Sequence, residues 1–171
     1  MGEWPGAKSR ELQKERDRYL PRGMSSTMPV FAASASGATL TDVDGNAYID
    51  FATGISVMNV GHSHPRVVEA IIGQAARLVH SGAPVMMPEG YVRLARRLCE
   101  ITPGAFPKKA LLLNSGAEAI ENAVKVVRQA TGRPAVISFH NSFHGRTLMS
   151  MTLTGKVSPY RQNFGPWAPE V

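Results

Sequence analysis

Ala110-Leu111-Leu112-Leu113-Asn114-Ser115-Gly116 is the stretch on which the fold turns. A continuous apolar run stops at an Asn-Ser-Gly break, and Ile120, Ala123, Val124 and Val127 then recur at helical spacing as far as Thr131-Gly132. The pattern predicts a strand, a tight loop and a helix. Ala135-Val136-Ile137-Ser138-Phe139 is the next apolar run, reached across a Gly-Arg-Pro break. A strand-helix-strand unit of this length predicts parallel neighbours joined by a right-handed crossover, and so an α/β fold.

Toward the N-terminus the same reading continues. Tyr91, Leu94, Ala95 and Leu98 stand at i, i+3, i+4 and i+7 of a helix predicted from about Pro88 to Glu100, with Arg93, Arg96 and Arg97 on its wet face. Pro65 opens an earlier helix in which Val67, Val68, Ile71, Ile72, Ala75 and Leu78 keep the helical period. Gly37 to Phe51 reads as a hairpin turned at Asp44-Gly45. Charges of both signs alternate from Ser9 to Tyr19, predicting a solvated helix or arm with Ser9 as its N-cap and Pro21 at its end.

Composition narrows the class. The 171 residues are 43% hydrophobic and 19% charged, which predicts a real core and excludes disorder, collagen and a disulfide scaffold. The net charge of +6 is dispersed and lacks the clustered basic and aromatic residues of a nucleic-acid reader, so no nucleic-acid partner is expected. Nor is a membrane span: no apolar run approaches the ~18 residues it needs. The lone Cys99 fits a reducing compartment, with the cytoplasm as the default. His62 and His64, and His140 and His144, lack a third ligand at zinc spacing, so no metal site is expected.

Two loops carry chemistry. A turn at the C-terminal end of a parallel strand directs the next helix's free N–H groups at whatever binds there, so Ser115-Gly116-Ala117 suits a phosphate. Taken alone, Ser115 as a helix cap and Gly116 as a turn explain the same residues. Phe143-His144-Gly145-Arg146 follows the next strand and would lie at the same sheet edge, where Phe143 could stack on a planar cofactor and Arg146 fork onto a carboxylate.

These residues, with Asp42-Val43-Asp44-Gly45-Asn46, Asp50-Phe51-Ala52, Gly54-Ile55, Gly61-His62-Ser63-His64-Pro65, Asn114 through Ala123, Phe143 through Thr147 and Leu153-Thr154-Gly155-Lys156, resemble the class III pyridoxal-phosphate aminotransferases, 4-aminobutyrate aminotransferases above all. The resemblance implies a fold type I pyridoxal-phosphate transferase. Residues 1–60 would form the N-terminal arm and hairpin of its small domain, and residues 61–171 the first part of the large cofactor domain with its parallel or mixed sheet.

It further implies that Ser115, Gly116 and Ala117 hold the cofactor phosphate, Phe143 stacks on the pyridine ring, and His144 lines the same site. Arg146 would receive a distal substrate carboxylate and Ile55 would wall the substrate pocket. An amino donor, a 2-oxo acid acceptor and a homodimer follow from the same likeness. The family's Schiff-base lysine falls outside residues 1–171, and neither Lys125 nor Lys156 stands in its motif. The chain is therefore expected to hold no catalytic residue of its own and to be inactive alone as an incomplete enzyme. Acetylornithine and ornithine aminotransferases share these motifs, and a non-enzymatic anion-binding module is the reading from another class.

Overall fold

A three-stranded antiparallel sheet, β1 (Ala32–Ser36), β2 (Thr39–Asp42) and β3 (Ala47–Ile49), organises the first part of the chain. In the computed structural model, which describes residues 3–171, β2 and β3 pair as Thr39–Ile49, Leu40–Tyr48 and Thr41–Ala47 around the expected Asp44-Gly45 turn. Gly45 takes φ +90°, a conformation that suits glycine. The hub of the turn is Asp42, only 3% exposed. Its carboxylate accepts from the Asp44 and Asn46 N–H groups, the Asn46 amide and the Tyr48 hydroxyl, all within 2.9 Å. Burial pushes this carboxyl up, but the Asn46 amide, the Tyr48 hydroxyl and the two backbone donors outweigh it and bring the pKa to about 2.

The N-terminal helix α1 spans Ala7–Tyr19. Its N-cap is Gly6, not Ser9, which lies inside the helix fully buried. The cap comes instead from the hairpin: Asp44 accepts the Lys8 N–H at 2.9 Å and the Ser9 N–H at 3.0 Å. A remote carboxylate thus satisfies the orphan donors that a local serine was expected to serve.

After β3, Asp50 accepts from the Ala52 and Thr53 N–H groups and meets His62 Nε2 at 2.6 Å. The short turn α2 (Thr53–Ser56) runs left-handed, with Thr53 at φ +47° and Gly54, Ile55 and Ser56 near +62°. The expected helix at Pro65 follows as α3 (Pro65–Arg77), with proline in its first turn. His80 closes this first compact unit.

The second unit, Ser81–Val171, contains α4 (Glu89–Ile101), α5 (Gly116–Thr131) and α6 (Leu148–Leu153). Of the α4 arginines, Arg93 pairs with Glu89 and Arg96 and Arg97 with Glu100 on the helix's own exposed face. Gly132 ends α5 at φ +66°, where the sequence places the stop.

Three expectations need correction. Residues 110–113 and 135–139 run outside helices and form no strands. Pairing is what defines a strand, and the chain offers these two runs other partners. The Tyr91 hydroxyl receives the Leu112 N–H at 3.0 Å, and the Val136 N–H goes to the Glu170 carbonyl at 2.9 Å. The only sheet among the described residues is the antiparallel one. The expected core is also small: among the described residues Val124 and Leu153 are the buried hydrophobic side chains, while Val67, Ile71, Leu94 and Leu111 stay exposed. An apolar stripe is buried only by an opposing layer, and none covers α3 or the Leu94 side of α4 among the described residues. The third correction is the α1 cap described above. No described helix is long and apolar enough to cross a membrane.

Candidate cofactor and substrate site

Ser115 takes an extended conformation and caps α5 with its side chain, the Oγ accepting the Glu118 N–H at 3.2 Å. Glu118 answers by accepting the Asn114 N–H at 2.8 Å, a reciprocal arrangement close to a capping box. The Ala119 N–H begins the helical ladder on the Ser115 carbonyl at 3.0 Å. Among the described residues, the Gly116 and Ala117 N–H groups have no acceptor. A Cβ at Gly116 would meet nothing within 4 Å, so the space beside Gly116 is open. Two free amides at the positive end of a 16-residue helix are what a phosphate group requires.

The second loop reaches this helix end by direct contact, without the shared strand edge that the sequence suggested. Gly145 is buried at φ +133°, and a Cβ there would stand 2.6 Å from the Ala117 Cβ and 2.6 Å from the Ser150 Oγ. Only glycine fits between α5 and α6. On one side of Gly145, the His144 N–H donates to the buried Thr154 Oγ1 at 3.0 Å. On the other, the Thr147 hydroxyl donates to Glu121 Oε1 of α5 at 2.6 Å. Thr147 and Ser150 then close a capping box on α6.

The side chains of this loop are differently placed. The Phe143 ring is 52% exposed and is backed by Tyr160, with centroids 4.9 Å apart at 59°. Lys156 Nζ lies 5.7 Å from the centroid of the same Tyr160 ring. Arg146 is exposed and makes no ion pair among the described residues, so its guanidinium fork is available to a carboxylate. Ile55 belongs to the first unit, 89% exposed on its left-handed turn. The structure thus joins Ala117 to Gly145 and flanks Arg146 with fixed residues, whereas Ile55 sits in a separate unit.

Three contributors escaped the sequence reading. Tyr160 left no signal, since an aromatic residue beyond the motifs has no periodicity to mark it. Thr154 lies inside the Leu153-Thr154-Gly155-Lys156 motif, where its residue type alone marks no role. Glu121 lies within the Asn114-to-Ala123 motif with no role marked by its spacing, and the structure turns its carboxylate to α6.

The model of the family described as aminotransferase class-III matches residues 20–171, nearly nine-tenths of the chain. The chain belongs to this family. It is 53% identical over 161 residues to a probable 4-aminobutyrate aminotransferase of Bacillus subtilis, a match covering 94% of the chain and 37% of the relative. It is 49% identical over 154 residues to a 5-aminovalerate aminotransferase of Pseudomonas aeruginosa, covering 90% of the chain and 36% of that protein. Its structure matches the ornithine aminotransferase of Toxoplasma gondii with a TM-score of 0.79 and 28% identity, over 95% of the chain and 38% of the other. That enzyme is described with partial occupancy of pyridoxal phosphate at its active site. The chain therefore spans under two-fifths of the length of these class-III proteins. Its fold is accordingly a mixed α/β portion of the fold type I architecture.

Pyridoxal phosphate is the cofactor of class-III aminotransferases. The free Gly116 and Ala117 donors and the open space beside Gly116 fit its phosphate, and the exposed Phe143 ring fits a flat heteroaromatic partner.

Proposed function

We propose that the protein carrying this chain is a pyridoxal-phosphate aminotransferase that moves the amino group of an ω-amino acid, such as 4-aminobutyrate, to 2-oxoglutarate. The observation that carries this reading is the junction of α5 with the Gly145 loop, which couples a free anion-binding helix end to an unpaired guanidinium. The names of the Bacillus and Pseudomonas relatives support the substrate class.

In this reading Ser115, Gly116 and Ala117 hold the cofactor phosphate, Ser115 by shaping the helix end and the other two through their N–H groups. Phe143, braced by Tyr160, lies on the cofactor ring, and His144 lines the same site. Bound pyridoxal phosphate supplies a ring that accepts electrons from the carbon losing its proton. Arg146 takes the carboxylate distal to the reacting amine, which fixes the amine's position, and Ile55 offers an apolar wall to the methylenes between them. The proton-moving lysine belongs to a segment outside residues 1–171, and in this reading these residues alone anchor without turning over. A cytoplasmic homodimer completes the proposal; the free Cys99 supports the reducing compartment.

The likeness to the Toxoplasma enzyme supports a second donor, ornithine. The test incubates the complete cofactor-loaded protein with 2-oxoglutarate and either 4-aminobutyrate or ornithine, and measures glutamate. Glutamate from 4-aminobutyrate is expected. Formation from ornithine only moves the assignment to the second donor, and folded, loaded protein that forms none from either overturns the proposal.

A further inference from the structure

Glu121 lies on α5, yet its carboxylate serves another segment. Its Oε1 accepts the Thr147 hydroxyl at 2.6 Å, the Met149 N–H at 3.1 Å and the Ser150 N–H at 3.4 Å. No cation pairs with it among the described residues. The carboxylate therefore spends its capacity on the first turn of α6, where orphan N–H groups and the positive helix end receive an anion well. Arg146 lies between two tied residues. Gly145 before it is wedged against Ala117, and Thr147 after it is held by Glu121. Both ties lead back to the helix whose free amides face the phosphate.

We propose that Glu121 is a positioning residue for Arg146. It fixes the distance between the phosphate anchor and the carboxylate anchor, and so makes the enzyme discriminate amino acids by the reach between amine and carboxylate. The proposal rests on the aminotransferase reading above and adds to it the origin of chain-length selectivity. A side chain that merely stabilised α6 would leave both anchors unmoved or weaken both alike. One that sets the spacing should act on substrate carboxylate binding and leave the phosphate end untouched.

The test uses the complete protein with Glu121→Ala, Glu121→Gln and Thr147→Val. Three quantities are read: KM and kcat for 4-aminobutyrate and 5-aminovalerate, affinity for pyridoxal phosphate by absorbance titration, and hydrogen exchange of the peptide covering residues 147–153. Glu121→Ala should raise KM for 4-aminobutyrate about tenfold, as expected of a misplaced anchor, and compress its preference over 5-aminovalerate. It should leave kcat within about threefold and cofactor affinity within about twofold, and should speed exchange in 147–153. Glu121→Gln keeps an acceptor oxygen and should restore most of the KM. Thr147→Val, which removes one of the three donors, should move KM the same way by less, and decides the matter if Glu121→Ala does not fold.

Faster exchange with unchanged KM and unchanged donor preference would reduce Glu121 to a structural cap and overturn the proposal. So would equal losses of cofactor and substrate binding, or a Gln variant no better than Ala. Wild-type protein that makes no glutamate defeats the functional reading itself, a result separable from all of these because it needs no variant.

Discussion

Replacing Gly145 by alanine should damage the protein through two terms that can be measured apart. The first is conformational: φ is +133°, and holding an L-residue in a sparsely populated region costs ~1–3 kcal/mol. The second is steric. The new Cβ would lie 2.6 Å from the Ala117 Cβ, 3.1 Å from the Ala117 Cα and 2.6 Å from the Ser150 Oγ, far inside the ~3.5–4.0 Å of ordinary carbon contact. Ser150 cannot swing aside freely, because its hydroxyl receives the Thr147 N–H at 3.1 Å within the capping box. Overpacking of this kind typically costs ~1–3 kcal/mol, so the sum is roughly 2–6 kcal/mol, a large part of the ~5–15 kcal/mol that holds a domain folded.

The assay is urea unfolding of the complete protein for Gly145→Ala, Ala117→Gly and the double variant. Ala117→Gly alone should cost up to ~1 kcal/mol as a glycine in a helix. In the double variant the Cβ–Cβ clash disappears while the backbone term and the Ser150 Oγ contact remain, so about 1 kcal/mol of favourable coupling is expected. A Gly145→Ala protein within ~0.5 kcal/mol of wild type, or strict additivity of the two substitutions, would refute the wedge.

Two further outcomes are expected. Arg146→Ala should lower kcat/KM for 4-aminobutyrate by about 10–100-fold, the loss of roughly 1.5–3 kcal/mol of charge-assisted hydrogen bonding, and should do less to an alkylamine of equal length; equal losses would make Arg146 structural. Asp42, lowered from 3.8 to about 2, stabilises the folded hairpin fully above the higher value and loses that contribution as pH falls through the lower one. The melting gap between wild type and Asp42→Asn should therefore be widest at neutral pH and close between pH 3.8 and about 2, and a gap constant across that range would count against the network.

Local signals were legible in the sequence. Ser115 and Gly132 bracket α5 as cap and stop, the Tyr91-Leu94-Ala95-Leu98 spacing marks α4, and Asp44-Gly45 turns the hairpin. Each depends on interactions within a few residues. What the sequence withheld is non-local. Strand β1, built from alanine and serine, has little β-character of its own and exists by pairing with β2. The runs at 110–113 and 135–139 carry strand composition, yet the Tyr91 hydroxyl and the Glu170 carbonyl take backbone groups that a ladder would use. Helix α6 is six residues long and depends on Glu121, contributed by another helix. The two loops of the site were individually visible, but their meeting at Ala117 and Gly145 follows from a steric fit that no spacing encodes.

The cap that Asp44 places on α1 bears on the order in which the protein matures. Lys8 and its acceptor are 36 residues apart, and ribosomes add ~5–20 residues per second. The amphipathic signal of α1 is weak, and its first N–H groups have no local side chain to receive them. For roughly 1–5 seconds after α1 is completed at Tyr19, the residue that completes its N-terminus does not yet exist. During that interval the helix lacks its N-terminal acceptor, and it becomes durable only when the β2–β3 turn closes. Synthesis of the hairpin is thus the event that commits the N-terminal arm to its folded position.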